Sequence, residues 1–232
     1  MLNLIAFLRY VLRTLRLNKL VAKLVYPNGY ETKFDQAVLA RINKGDTVWD
    51  VGANIGYYTE KFVVATGPDG FVQGFEPIPD TFGILSKSMT SFENVSLFCY
   101  ALGKSNGSLL MSNSDKAGSP TNKIIGDDSE LNTSGTTVIQ VRRGDELVKS
   151  QEVMNPNVIK IDVEGHEGDV IAGIAGLLDN TELHTIAMEI HFALLDERNE
   201  RNTPSVIVNM LVKHSFDINW TDPSHLIAVK KL

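Results

Sequence analysis

Apolar residues fall in two rhythms along this 232-residue chain. Up to residue 25 they recur every three or four positions, at Leu4, Phe7, Leu8, Val11, Leu12, Leu15, Leu20 and Leu24. That spacing predicts an amphipathic helix over 2–25, with arginines and lysines interleaved. Pro27-Asn28-Gly29 is turn chemistry and closes the segment off. Beyond it, short apolar runs alternate with helical stretches. Strands are predicted at 47–51, 71–75, 95–100, 158–161, 185–190, 216–220 and 226–229, and helices at 34–42, 55–66, 79–91, 168–178 and 204–214. Strands taking turns with helices predict an α/β fold, a parallel-rich sheet covered on both faces. Only Asp222-Pro223-Ser224 parts the last two strands, which permits an antiparallel pair at a sheet edge. The chain divides into a helical appendage, 1–30, and one domain, 31–232.

A polar stretch interrupts the alternation. Residues 104–135 are rich in Ser, Asn, Gly, Asp and Thr, and only Leu109-Leu110-Met111 has the apolar content of a core element. A loop of this length is expected to be a functional lid or disordered.

Charge sharpens the division. The formal net charge is −6, which argues against a nucleic-acid partner. No acid precedes Glu31, whereas Arg9, Arg13, Arg16, Lys19 and Lys23 do, leaving 17 basic against 28 acidic residues in the rest. Arg9 and Arg13 break the apolar stretch too early for a signal peptide or a bilayer span. A basic amphipathic helix suits either packing on the domain, the plainer reading, or peripheral contact with an anionic membrane at the inner surface. The single cysteine, Cys99, excludes an intramolecular disulfide and fits a cytoplasmic protein. Between Leu97-Phe98 and Tyr100 it is expected to be a buried strand thiol.

Chemistry concentrates at strand ends. Asp50-Val51-Gly52-Ala53-Asn54-Ile55-Gly56 leaves the first core strand and opens a helix. Gly52 permits a sharp turn and Gly56 a close approach to the helix start. The helix N-terminus can receive a carboxylate and Asp50 can accept from an ammonium group. A ligand bearing both groups fits, as the methionine part of S-adenosylmethionine does. Glu76 ends the second strand, where an acid accepts ribose hydroxyls in nucleotide-binding α/β folds. Pro77 stiffens the turn after it, and Ala101 is small enough to lie against an adenine.

Together these residues resemble the FkbM family of methyltransferases. The resemblance rests on Val48–Thr59, on Phe75-Glu76-Pro77, on Ala101-Leu102-Gly103 and on Ile159-Lys160-Ile161-Asp162-Val163-Glu164-Gly165-His166-Glu167, and spans about 30–230. It implies a Rossmann-like seven-stranded sheet, S-adenosylmethionine as donor, and O-methylation of a sugar, glycan or small natural product. The donor-binding set becomes Asp50, Gly52, Asn54, Gly56, Thr59, Glu76, Pro77, Ala101 and Asp162. Where the family carries a Thr-Leu-Asp-type segment this chain reads Arg142-Arg143-Gly144-Asp145-Glu146-Leu147, so no role is carried onto 142–147.

Catalysis is expected at the second block. Asp162 ends a buried strand, Glu164 follows, and Glu189 and His191 end the next strand, so all four gather if the strands are neighbours. A hydroxyl is protonated at neutral pH and needs a base. His191, with a reference pKa of about 6.5, is the candidate, with Asp162 and Glu164 holding donor or acceptor. Glu167 reads as a helix-start residue. A divalent metal on Asp162, Glu164 or His191 is the rival, not favoured because these residues lack a fixed ligand spacing. A nicotinamide oxidoreductase would want Gly-x-Gly-x-x-Gly, against Gly-Ala-Asn-Ile-Gly at 52–56. A non-catalytic donor-binding or membrane-scaffold protein is the other alternative.

Overall fold

The computed structural model describes residues 31–112, 124–126 and 136–231, with the backbone alone at Glu31, Thr32, Ser112 and 124–126. The helix expected at 2–25, with its membrane contact, lies outside the described residues. Among those described, no helix is long and apolar enough to cross a membrane.

Helix α1 (Glu31–Leu39) leads into β1 (Thr47–Val51), α2 (Tyr57–Thr66), β2 (Phe71–Phe75), α3 (Pro79–Ser88) and β3 (Val95–Phe98). Four strands follow, β4 (Ala101–Leu102), β5 (Gly107–Ser112), β6 (Ile124–Gly126) and β7 (Thr136–Arg142), and then α4 (Gly144–Lys149). The chain continues through β8 (Val158–Ile161), α5 (Glu167–Gly173), a 3₁₀ turn (Ala175–Leu177), β9 (Thr185–Glu189) and α6 (Phe192–Glu197). It closes with α7 (Thr203–Lys213), β10 (Phe216–Trp220) and β11 (His225–Lys230).

Seven strands form one sheet in the order β10-β11-β9-β8-β1-β2-β3. All neighbours are parallel except β11, which runs antiparallel between β9 and β10. This is the expected Rossmann-like architecture, including the antiparallel edge pair. Alternation within each strand builds two cores. Trp49, Val51, Ile159, Ile161, Ile186 and Met188 face one side, under Val170 and Ile171 of α5 and Ile207 and Leu211 of α7. Val48, Val158, Ala187 and Ile227 face the other, under Phe34 and Val38 of α1 and Phe62 of α2. A strand buried on both faces carries few polar residues. Each large apolar side chain so buried contributes roughly 2–3 kcal/mol. Trp49 keeps its indole N–H satisfied through Gln73 Oε1 at 3.1 Å and the Met154 carbonyl at 3.0 Å.

The polar interlude corrects an expectation. β5 and β6 fall within it and join the flanking β4 and β7 in a second sheet, β4-β7-β5-β6, in which Leu109 pairs opposite Ile139 and Gly107 opposite Val141. The run Thr136-Thr137-Val138-Ile139 carries the β-branched signature of a strand, and Ile139 and Val141 are buried while Val138 is exposed. Cys99 is also corrected: it lies one residue past the end of the edge strand β3 and is exposed.

Candidate active site

Strand register brings the chemistry to one level. Val51 is level with Phe75 and with Ile161, and Ile161 with Met188. Gly52, Glu76, Asp162 and Glu189 are therefore the first residues past four sheet positions at the same height. β1 is where the chain order reverses, the place where open α/β sheets leave a crevice. A cavity of about 470 Å³ lies there, walled by Gly52, Glu76 and Asp162 and by Leu109, Met111, Ile139 and Val141 of the second sheet.

One end of the cavity is a backbone cradle. Gly52 (φ 79°) and Ala53 turn across β2, both N–H groups donating to the Phe75 carbonyl at 3.0 Å. A Cβ on Gly52 would stand 1.9 Å from the Asp162 carbonyl oxygen, so backbone and not a ligand excludes a side chain. Gly52→Ala should thus cost roughly 3 kcal/mol or more of stability, against a fold otherwise expected to tolerate it, and a thermal melt reads this directly. Gly56 (φ 100°) heads α2, where an added Cβ would meet Leu85 of α3 at 2.9 Å. Glu76 accepts from Asn54 N–H and Ile78 N–H, each at 3.0 Å, one per oxygen. Burial holds its carboxyl above the usual range despite those two donors.

Gly52, Asn54, Glu76, Pro77, Ala101, Asp162 and Glu164 line the cavity, whereas Asp50, Gly56, Thr59 and His191 stand behind its wall. Asp50 and Thr59 are fully buried, and the Thr59 hydroxyl donates to Asp50 Oδ2 at 2.7 Å. The ammonium that Asp50 was expected to receive from a ligand comes from the chain. Lys160, 2% exposed, places Nζ 3.1 Å from Asp50 Oδ1, 3.1 Å from the Gly52 carbonyl and 3.7 Å from Asp162 Oδ2. Burial alone would lower its pKa, but Asp50 and Asp162 outweigh burial and raise it. Sequence reasoning passed over Lys160, although a lysine between two buried isoleucines demands an internal partner.

The other end is acidic. His191 Nε2 lies 3.3 Å from Glu164 Oε2, 3.7 Å from Asp162 Oδ1 and 4.0 Å from Glu189 Oε1. Its Nδ1 is 2.7 Å from Oε1 of Glu167, which is wholly buried and also accepts from Gly165 N–H at 2.8 Å. The four expected residues do gather, and Glu167 does more than begin a helix. Burial alone would lower His191, but the Glu167 hydrogen bond with the charges of Glu164 and Asp162 pushes it up to about 9, away from the neutral value expected of a base. Burial pushes Glu164 up to about 7, His191 opposing and the neighbouring carboxylates adding. Ligand atoms of Asp162, Glu164 and His191 all lie within 4.8 Å of one another, within reach of one divalent ion.

A second histidine, this one buried, backs the cluster. His225 lies between Asp222 Oδ1 at 2.9 Å and Glu189 Oε2 at 3.3 Å. Burial would lower it, but these two carboxylates push it up to about 9. A folded-state value above the unfolded one stabilises fully below about pH 6.5, and the gain is lost as pH rises through about 9, at most roughly 3 kcal/mol for the one group. His225→Gln should therefore flatten the wild-type fall in melting temperature between pH 6.5 and 9. Parallel curves for the two proteins would contradict this.

Residues 50–218 match the family profile described as the methyltransferase FkbM domain. The chain is 36% identical over 155 residues to hexuronic acid methyltransferase AglP of Haloferax volcanii, an alignment covering 66% of this chain and 59% of that one. It thus spans under two thirds of that relative's length. Among solved structures, methyltransferase FkbM of Methylobacillus flagellatus superposes with a TM-score of 0.50 at 14% identity, covering 84% of this chain and 50% of that one. A Streptococcus mutans protein in complex with SAH superposes with a TM-score of 0.51 at 10% identity, covering 85% and 95%. Both likenesses concern the fold.

Proposed function

The chain belongs to the FkbM methyltransferase family, and from that membership we propose that it moves the methyl group of S-adenosylmethionine onto an oxygen of a sugar or glycan. One observation carries the reading: one cavity is lined by Gly52 and Glu76 at one end and by Asp162 and Glu164 at the other, with His191 directly behind those two carboxylates. The Haloferax relative acts on a hexuronic acid, which favours an acidic sugar as acceptor. We propose a cytoplasmic enzyme of one catalytic domain, 31–232, with residues 1–25 as an appendage that packs on it or touches an anionic membrane.

When bound, S-adenosylmethionine supplies an electrophilic methyl on a sulfonium. Glu76, its oxygens aimed by Asn54 and Ile78, keeps lone pairs for the ribose hydroxyls. Pro77 and Ala101 flank the flat base, and the Gly52–Asn54 turn takes the amino-acid part. Asp50 and Thr59 act from beneath through Lys160, which holds the Gly52 carbonyl in place. Gly56 lets α3 close against the turn. Asp162, Glu164 and His191 are the catalytic group. Asp162 and Glu164, which face the cavity with His191 behind them, hold the acceptor hydroxyl in line, and a carboxylate draws off its proton as its oxygen bonds to the methyl carbon and the methyl–sulfur bond breaks.

Incubation with methyl-tritiated donor and a panel of uronic-acid glycans, neutral glycans and phenolics tests the reading. Label should enter a glycan. An alkali-stable product marks a hydroxyl acceptor, and alkali-released methanol marks a carboxylate. Absorbance change on adding a nicotinamide cofactor, without label transfer, would overturn the proposal. Glu76→Gln should weaken donor binding by about 1–3 kcal/mol. Unchanged calorimetric affinity with a lowered melting temperature would show that Glu76 serves the fold alone.

A further inference from the structure

We propose that Asp162, Glu164 and His191 bind one divalent cation of the Mg²⁺ or Mn²⁺ class, which holds and polarises the acceptor hydroxyl. The inference rests on the methyl-transfer reading of the same site and adds the group that activates its acceptor.

Distances come first. From His191 Nε2, Glu164 Oε2 is 3.3 Å away and Asp162 Oδ1 3.7 Å, and all three ligand atoms fall within 4.8 Å. Around an octahedral ion with bonds of about 2.1 Å, adjacent ligands stand about 3 Å apart and opposite ones about 4.2 Å. With His191 Nε2 adjacent to both carboxylate oxygens, its two pairs must contract by about 0.3 and 0.7 Å, and the carboxylate pair, within 4.8 Å, lies close to the span of opposite ligands. Two carboxylate oxygens and one imidazole nitrogen suit Mg²⁺ or Mn²⁺ better than thiolate-seeking ions, and Ca²⁺ takes six to eight oxygens.

The ligands are also aimed from behind. Glu167 engages His191 Nδ1 at 2.7 Å, which leaves Nε2 facing the carboxylates. Metal-bound histidines usually have the other ring nitrogen held in this way, by a carboxylate, a backbone carbonyl or water. Lys160 takes the far oxygen of Asp162, Oδ2, and so leaves Oδ1 toward the histidine. Glu164 sits at φ 50°, and the carbonyl of Gly165 beside it is fixed by Arg198 Nη1 at 2.7 Å.

Charge supplies the independent reason. Glu167 is completely buried, and its Oε2 has no hydrogen-bond partner among the described residues. Glu189 adds a further carboxylate 4.0 Å from His191 Nε2. The internal cations are already shared, Lys160 with Asp50 and His225 with Asp222. Four carboxylates around one imidazole leave negative charge that a divalent ion would neutralise, and Asp162 and Glu164 open its remaining positions to the cavity.

Mn²⁺ binding by electron paramagnetic resonance, on chelator-stripped full-length protein without donor or acceptor, tests this directly. One Mn²⁺ per chain is expected, displaced by Mg²⁺. Affinity should fall at least tenfold in Asp162→Asn and His191→Asn, and 10- to 100-fold in Glu167→Gln. Thermal melts and donor affinity on the same samples establish that the variants are folded. No binding by wild type at millimolar Mn²⁺, or equal binding by all three folded variants, overturns the site. Methyl transfer undiminished by EDTA overturns the cation and leaves methyl transfer standing. Stoichiometric Mn²⁺ with no transfer to any acceptor upholds the site and counts against the methyl-transfer reading.

Discussion

Methyl transfer by His191→Asn is expected to fall roughly 10² to 10⁴-fold with donor affinity within about twofold of wild type. The separation follows from position. His191 stands behind Asp162 and Glu164, whereas the donor cradle at Gly52 and Glu76 takes no bond from it. Removing the imidazole deletes the group that Glu167 orients and takes from the carboxylates of Asp162 and Glu164 the cation they share. Asp162→Asn should be at least as damaging, because that carboxylate also answers Lys160. Single-turnover rates with calorimetric donor titrations provide the check. A loss of donor binding equal to the loss of rate would put His191 in the cradle instead. Retained turnover in both variants would leave alignment of the two substrates as the source of the rate.

Lys160→Met is expected to lower stability by about 3–5 kcal/mol, the usual cost of removing one member of a buried ion pair. Asp50 is entirely buried and would keep only the Thr59 hydroxyl, and the Gly52 carbonyl would lose a donor at 3.1 Å. The same change should weaken donor binding well beyond what the melt accounts for, because it loosens the turn that forms the cradle. Denaturant unfolding and donor titration at a temperature where the variant is folded decide the matter. Lys160→Met together with Asp50→Asn should recover part of the stability, since a lone buried charge is the larger penalty. No recovery in the double variant would mean that the lysine matters through packing, including its place 4.9 Å over the Tyr58 ring.

Much of the fold was legible because its signals are local. The five-residue runs at 47–51 and 71–75 are bounded by turns and read as strands with the observed limits, Thr47–Val51 and Phe71–Phe75. Gly52 and Gly56 marked the turn because only glycine adopts their positive φ without strain. What escaped was short or hidden among polar residues. The six residues of α6, Phe192–Glu197, are too few to show a helical period, and β5 became a strand only by pairing with β7. Cys99 looked buried from its apolar neighbours, yet exposure depends on β3 being the sheet edge, which no neighbouring residue reports.

The sequence by itself determined the alternating architecture, the glycine turn after β1, the acid after β2 and the set of carboxylates and histidine at the ends of β8 and β9. These follow from the period of apolar positions and from the backbone demands of single residues, which act over a few bonds. Only the tertiary structure decided which of them meet. Asp162, Glu164 and His191 have no telling spacing along the chain, and the parallel register of β8 with β9 is what brings them within 4.8 Å. Asp50 looked free for a ligand until Lys160, from the neighbouring strand, supplied its counter-charge. His191 looked like an ordinary neutral base until Glu167 and the carboxylates pushed it up to about 9. Charge acts through space, and the sheet, not the order of residues, sets those distances.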